Sequence, residues 1–228
     1  MHIPDGFISV PTAVGTGVVA AGAVAYALRT GRASLADRQV PLVGVTAAFV
    51  FAVQMINFPI GLGASGHLLG GALAAILLGP WMACLVLAVV LLVQAVAFAD
   101  GGITALGANI ALMGVVAGVG GHYLFRALAA LLPRGRRGFL IATGLTAWAT
   151  VVLASVVAAL FITVGGRFGA EALPGMLAAM AGLHALIGIG EALITTAAVT
   201  AVIGSRPDLV TNADLLGGRA GTRQAVTA

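Results

Sequence analysis

Apolar stretches of membrane-spanning length alternate with short breaks of glycine, proline or arginine along almost the whole chain. A helix needs about 20 mostly apolar residues to cross the hydrocarbon core of a bilayer. The first candidate covers residues 10–28 and the second 41–56, followed by a glycine-rich loop, NFPIGLGASG, at 57–66. A third helix is expected to start near His67 and to end at Gly79-Pro80 after about 12 residues, or roughly 18 Å at 1.5 Å per residue. That length cannot cross alone, so His67 is expected below the outer surface, where irregular backbone is tolerated only against protein or a cavity. Residues 81–98, 105–132, 139–164 and 176–203 supply four further spans, with glycine-rich loops at 99–109 and 165–175.

Composition makes this a membrane protein with a single membrane domain. Hydrophobic residues are 61% and charged residues 8%, against about 25% charged in soluble domains. Every basic residue is an arginine. With residues 1–9 outside and seven spans following, the arginines at 29, 32, 38, 126, 134, 136, 137, 206, 219 and 223 all fall in the cytoplasm, leaving only Arg167 outside. This positive-inside bias accounts for the net charge of +4 without nucleic acid, for which no basic stripe interleaved with aromatics is present. Asp5 ahead of the first span and Arg29 behind it oppose reading that span as a cleaved signal peptide. The expected architecture is therefore all-α: an extracytoplasmic N-terminal segment at 1–9, a transmembrane helical domain at 10–204 and a flexible cytoplasmic tail at 205–228.

Two absences narrow the function. Without lysine the chain cannot hold a GxxxxGK[ST] phosphate loop, so ATP energy must come from partners. The single cysteine, Cys84, lies in an apolar run and forms no internal disulfide; packing is its expected role.

The candidate chemistry is in the opening residues, MHIPDG. A free terminal amine, the amide nitrogen of residue 2 and Nδ1 of a histidine at residue 2 can close a five-membered and a six-membered chelate ring around one ion. Square-planar nitrogen sites of this kind suit Ni(II) and Cu(II). The amine must be neutral and the amide deprotonated, so affinity rises with pH. Pro4 and Gly6 predict a defined turn after the histidine. His67, expected at a helix start on the same outer side, is the candidate fourth donor, with the positive helix end favouring neutral imidazole.

These features carry a resemblance. MHIPDGF at 1–7, GHLLGGALAAILLGPW at 66–81, DGGITALGAN at 100–109 and HALIGIGEALIT at 184–195 resemble the CbiM/NikM family, the substrate-binding membrane components of energy-coupling factor (ECF) transporters for cobalt and nickel. The resemblance covers most of residues 1–200. It implies metal ligation by the amine of Met1, the backbone and side-chain nitrogens of His2, and His67. It also implies a transmembrane coupling subunit, two ATPase subunits and a small accessory membrane protein as partners, with the carried Ni(II) or Co(II) ion as the only metal and no further cofactor. Residues Pro4-Asp5, in place of the Met-Glu of cobalt-type members, favour nickel. The implied location is the cytoplasmic membrane of a bacterium or archaeon.

Two rival readings are set beside it. Residues 63–66, GASG, match the nucleophile motif of rhomboid intramembrane proteases, with Ser65 as nucleophile and His184 as base. The residues after His184 are out of register with the rhomboid HxxGxxxG pattern, and this reading leaves Met1 and His2 idle. His184 and Glu191 share one helical face and would suit a proton-coupled metal carrier, or else satisfy partners inside the bundle. Asn57, Asp100 and Asn109 flank the outer loops, where each could orient a ligand or cap a loop. His122 is expected at the inner interface.

Overall fold

The computed structural model of the chain describes residues 1–34, 39–61 and 64–217, with the side chains of 32–34, 57–61 and 64–65 left aside. Arg38, Gly63 of the GASG motif, and Arg219 and Arg223 of the tail lie outside the described residues. The fold is almost wholly helical. The helices are α1 (Val10–Ser34), α2 (Val40–Gln54), α3 (Gly71–Leu78), α4 (Pro80–Ala97), α5 (Leu106–Ile110), α6 (Gly121–Leu131), α7 (Arg136–Thr163) and α8 (Leu173–Ser205). A π-helical stretch, Ala111–Gly120, joins α5 to α6 into one span of 26 residues. Five spans among the described residues are long and apolar enough to cross a membrane: Val10–Gly31, Pro80–Ala97, Leu106–Leu131, Arg136–Thr163 and Ala170–Ser205. The other two expected spans are shorter, α2 having 15 residues and α3 having 8.

Helix α3 is the axis of the molecule: all eight of its residues are buried. Its C-terminal end is fixed by Gly79 (φ +83°) and Pro80, where proline occupies the first helical turn of α4 without losing an intrahelical bond. Its N-terminal end corrects an expectation. Helix α3 begins at Gly71, not at His67, because residues 57–67 turn back as an antiparallel hairpin of β1 (Asn57–Gly61) and β2 (Ala64–His67), with His67 paired to Asn57. Gly70 then turns the chain at φ +70°, a conformation open to glycine, and a Cβ there would lie 2.7 Å from Val50. His67 therefore ends a strand, and the helix-dipole argument for its neutrality gives way to burial.

The tail requires a second correction. Instead of hanging free from residue 205, the chain forms two short 3₁₀ turns, Pro207–Leu209 and Ala213–Leu216, that dock on the C-terminal end of α3. The amide of Thr211 donates to the carbonyl of Leu77 (2.9 Å) and Nδ2 of Asn212 to that of Ile76 (3.0 Å). These are the carbonyls that a helix broken by proline leaves without intrahelical partners. Val210, Asn212 and Ala213 are buried by the contact.

His122 is also buried, with Nδ1 3.4 Å from the carbonyl of Ala75, so its place is against α3 instead of at an interface. Cys84 is buried and free, packing beside Gly114 as expected.

Candidate metal centre

The N-terminal segment does not lie on the surface. Met1, His2 and Ile3 are 2%, 4% and 1% exposed, which places three residues of a chain terminus inside the helical core. The glycine-rich loop before α5 holds them there. The amide of Ile3 donates to Oδ1 of Asn109 (2.8 Å), while the Ile3 carbonyl accepts from Nδ2 of Asn109 (3.1 Å) and from the amide of Gly102 (2.9 Å). Further along, Oδ1 of Asp5 accepts from the amide of Thr104 at 2.7 Å and from its hydroxyl. Gly102 has to be glycine: a Cβ would stand 2.4 Å from the Asp5 nitrogen.

This lacing brings His2 against His67. The two rings are stacked, with centroids 4.3 Å apart and planes 24° from parallel. His67 is fully buried. One hydrogen bond at each ring sets its tautomer. Nε2 of His2 faces Oε1 of Gln94 at 3.1 Å, and because that oxygen only accepts, Nε2 carries the proton and Nδ1 keeps its lone pair. Nδ1 of His67 faces the carbonyl of Leu68 at 2.8 Å, which leaves the lone pair on Nε2. Both lone-pair nitrogens are buried and have no hydrogen-bond partner. Oδ1 of Asp100 approaches Nδ1 of His2 to 3.2 Å, an ion-pair distance without hydrogen-bond alignment.

Buried polar atoms are normally satisfied; these two imidazole nitrogens, carried by stacked rings, have lone pairs free to donate to a ligand. Burial pushes the Met1 amine well below the usual range of an N-terminus, although the Asp100 charge opposes it. Burial also lowers His67, assisted by the positive terminal amine and by His2. Both shifts favour the neutral forms that bind metal. Among the described residues, no group of three His, Cys, Asp or Glu side chains is placed to hold a metal ion.

The fold has the architecture of known metal transporters. A crystal structure of a truncated transition metal transporter superposes with a TM-score of 0.82 at 29% identity, covering 90% of this chain and 99% of the other. The family model described as the cobalt uptake substrate-specific transmembrane region matches residues 2–209.

The chain belongs to the CbiM family.

Relatives from archaea and bacteria agree. A putative metal transport protein of Haloquadratum walsbyi is 40% identical over 92% of this chain and 93% of its own length. A putative fused nickel transport protein of Archaeoglobus fulgidus is 39% identical over 92% of this chain and 68% of the relative. A cobalt transport protein CbiM of Pelobacter propionicus is 37% identical over 89% and 91%. This CbiM-family chain is thus the transmembrane component of a cobalt or nickel uptake system, as its apolar helices and its relatives' names agree.

The other polar residues sort themselves around the site. Asn109 anchors Ile3 and Asp100 faces His2, whereas the side chain of Asn57 lies outside those described. His184 gives its Nδ1 proton to the Met180 carbonyl (2.8 Å), and its Nε2 has no partner among the described residues, while the side chain of Ser65 lies outside those described. Two residues escaped the sequence reading altogether: Gln94, which orients His2, and Gln54, whose Nε2 donates to the Leu69 carbonyl at 2.6 Å. Each is the only strongly polar side chain of its helix, and an isolated amide within an apolar span is a signal that could have found them.

Proposed function

We propose that the chain is the substrate-binding membrane component of an ECF-type importer, capturing Ni(II) or Co(II) from outside through the Met1 amine, the backbone and Nδ1 nitrogens of His2, and Nε2 of His67. One observation carries this reading: hydrogen bonds to Gln94 and Leu68 leave as orphans the two imidazole nitrogens that the chelate needs. With the His2 amide deprotonated, amine, amide and two imidazoles give four nitrogen donors suited to a square-planar ion. The relatives' names include both nickel and cobalt transport; Pro4-Asp5 inclines the reading to nickel.

In this reading residues 1–9 face outward, seven helical units including the short α2 and α3 build the membrane domain, and the C-terminus is cytoplasmic. That orientation puts every arginine but Arg167 on the inner side. A coupling subunit, two ATPase subunits and a small accessory protein complete the importer, since a chain without lysine has no Walker A loop of its own. The host membrane is the cytoplasmic membrane of a bacterium or archaeon.

The test is nickel calorimetry on the purified chain with one residue added before Met1, and separately on His2→Ala. Both variants should remain folded and lose nickel binding. Retained binding in both overturns the site. Reconstitution of the chain alone addresses the proton-coupled alternative: metal uptake into vesicles without ATPase partners would favour it.

A further inference from the structure

His67 owes its position to the three residues after it, Leu68–Leu69–Gly70, and these are gripped from two helices. The amide of Leu69 donates to Oε2 of Glu191 (2.8 Å) and the amide of Gly70 to Oε1 of the same carboxylate (2.7 Å). From the opposite side, Nε2 of Gln54 donates to the Leu69 carbonyl (2.6 Å). The Leu68 carbonyl, one residue earlier, sets the His67 tautomer. Glu191 on α8 and Gln54 on α2 are 2% and 0% exposed, and Leu69 is fully buried.

A buried carboxylate is among the costliest groups to place inside a protein, and an ionisable residue within a membrane span calls for a functional account. Here both oxygens accept from backbone amides, the pattern of an ionised carboxylate bridging consecutive N–H groups. The carboxyl group thereby holds the backbone two and three residues after His67.

Building on the proposed metal site, we propose that Glu191, with Gln54 opposite it, is a positioning residue for metal binding: it fixes the Leu69 and Gly70 peptides so that Nε2 of His67 completes the nitrogen square. Helix α8 is then mechanically tied to one of the four donors. A shift of α8 relative to α3 moves His67, while Met1 and His2 stay laced to the 100–109 loop.

The experiment is nickel titration of the full chain, wild type beside Glu191→Gln, with the ligand-field absorption of bound nickel recorded in each. The amide of glutamine keeps the shape but loses one acceptor and the charge. Affinity should fall roughly 10- to 100-fold, as for residues that orient metal ligands. The spectrum of the bound fraction should shift to longer wavelength, as three nitrogens and a water replace four nitrogens. A merely structural role would lower the yield or the melting temperature and leave that spectrum unchanged. Unaltered affinity and spectrum in folded Glu191→Gln overturn the proposal. Should that variant not fold, Gln54→Met reports on the other grip by the same two measurements, with the same outcomes deciding. Failure of the wild type to bind nickel would instead overturn the metal site on which the proposal rests.

Discussion

The two ends of α3 carry buried polar clusters built on opposite plans. At the C-terminal end the Ile76 and Leu77 carbonyls receive Asn212 and Thr211, and Oδ1 of Asn212 in turn accepts from Arg126 at 3.3 Å. None of these side-chain atoms is buried without a partner. At the N-terminal end both oxygens of Glu191 are satisfied, but Oε1 of Gln54, Nδ1 of His2, Nε2 of His67, Nε2 of Gln94 and Oδ2 of Asp100 are all buried without a partner. Leaving a buried polar group unmade costs about 1–3 kcal/mol, so this cluster carries a cost that a cation held by the two imidazole nitrogens would remove only in part. In the proposed reading, the cluster at the C-terminal end serves the fold and the one at the N-terminal end serves binding.

The contrast breaks most sharply at His67. His67→Ala deletes one of the four nitrogen donors of the proposed site. If four ligands share roughly 10–16 kcal/mol, nickel affinity should fall on the order of 100-fold or more. The metal-free protein should lose some stability, because truncating a fully buried ring leaves a cavity beside His2, although only the hydrogen bond to Leu68 is lost. Calorimetry and thermal unfolding of the same sample decide it; a large loss of stability with intact binding would reverse the roles given to the two clusters.

Gln94→Leu probes the outer cluster without touching a donor. The variant frees Nε2 of His2 and so releases the ring from the tautomer that offers Nδ1. Removal of groups that orient ligands costs about 10- to 100-fold in metal affinity, and the lower end is expected because the terminal chelate still holds His2. Competition between nickel and a coloured chelator would measure it.

Asn212→Ala is the complementary variant at the inner end. It leaves the Ile76 carbonyl unpaired and should destabilise the protein by about 1–3 kcal/mol. Nickel affinity should remain within about twofold of wild type, since sites without shared partners behave additively. Chemical denaturation and calorimetry together check both halves.

What the sequence disclosed follows the same division. Long spans were legible because their apolar runs exceed the bilayer thickness, and observed limits such as Pro80–Ala97 lie within a residue of the 81–98 expected. The meeting of His2 and His67 was legible because both were expected on the same side of the protein, and their rings do stack. The strand under His67 was not, because its pairing with Asn57 is a tertiary fact and glycine-rich segments carry little β signal. Nor was the docked tail: its glycines and acids read as solvated, while Val210 and Ala213, the residues that bury it, are too few to show a period. Glu191 was picked out as buried and ionisable, but its partners proved to be two backbone amides instead of side chains.

The smallest expected effect is at the outermost strap of the metal site. Oδ1 of Asp5 accepts from both the amide and the hydroxyl of Thr104, and these bonds hold the carboxyl below its usual range. A carboxylate with a depressed folded pKa contributes stability that is present above its unfolded pKa and lost as pH falls through the folded one. The strap should therefore weaken only under acid conditions, below about pH 4. Asp5 is exposed, so solvent screens the charge. Asparagine at this position keeps an oxygen acceptor and should cost no more than a few tenths of a kcal/mol. At neutral pH nickel affinity in Asp5→Asn should change less than about threefold, because Asn109 and Gly102 still hold Ile3 beside the two histidines. A larger loss, measured by calorimetry at pH 7, would extend the binding half of the molecule outward to the surface loop.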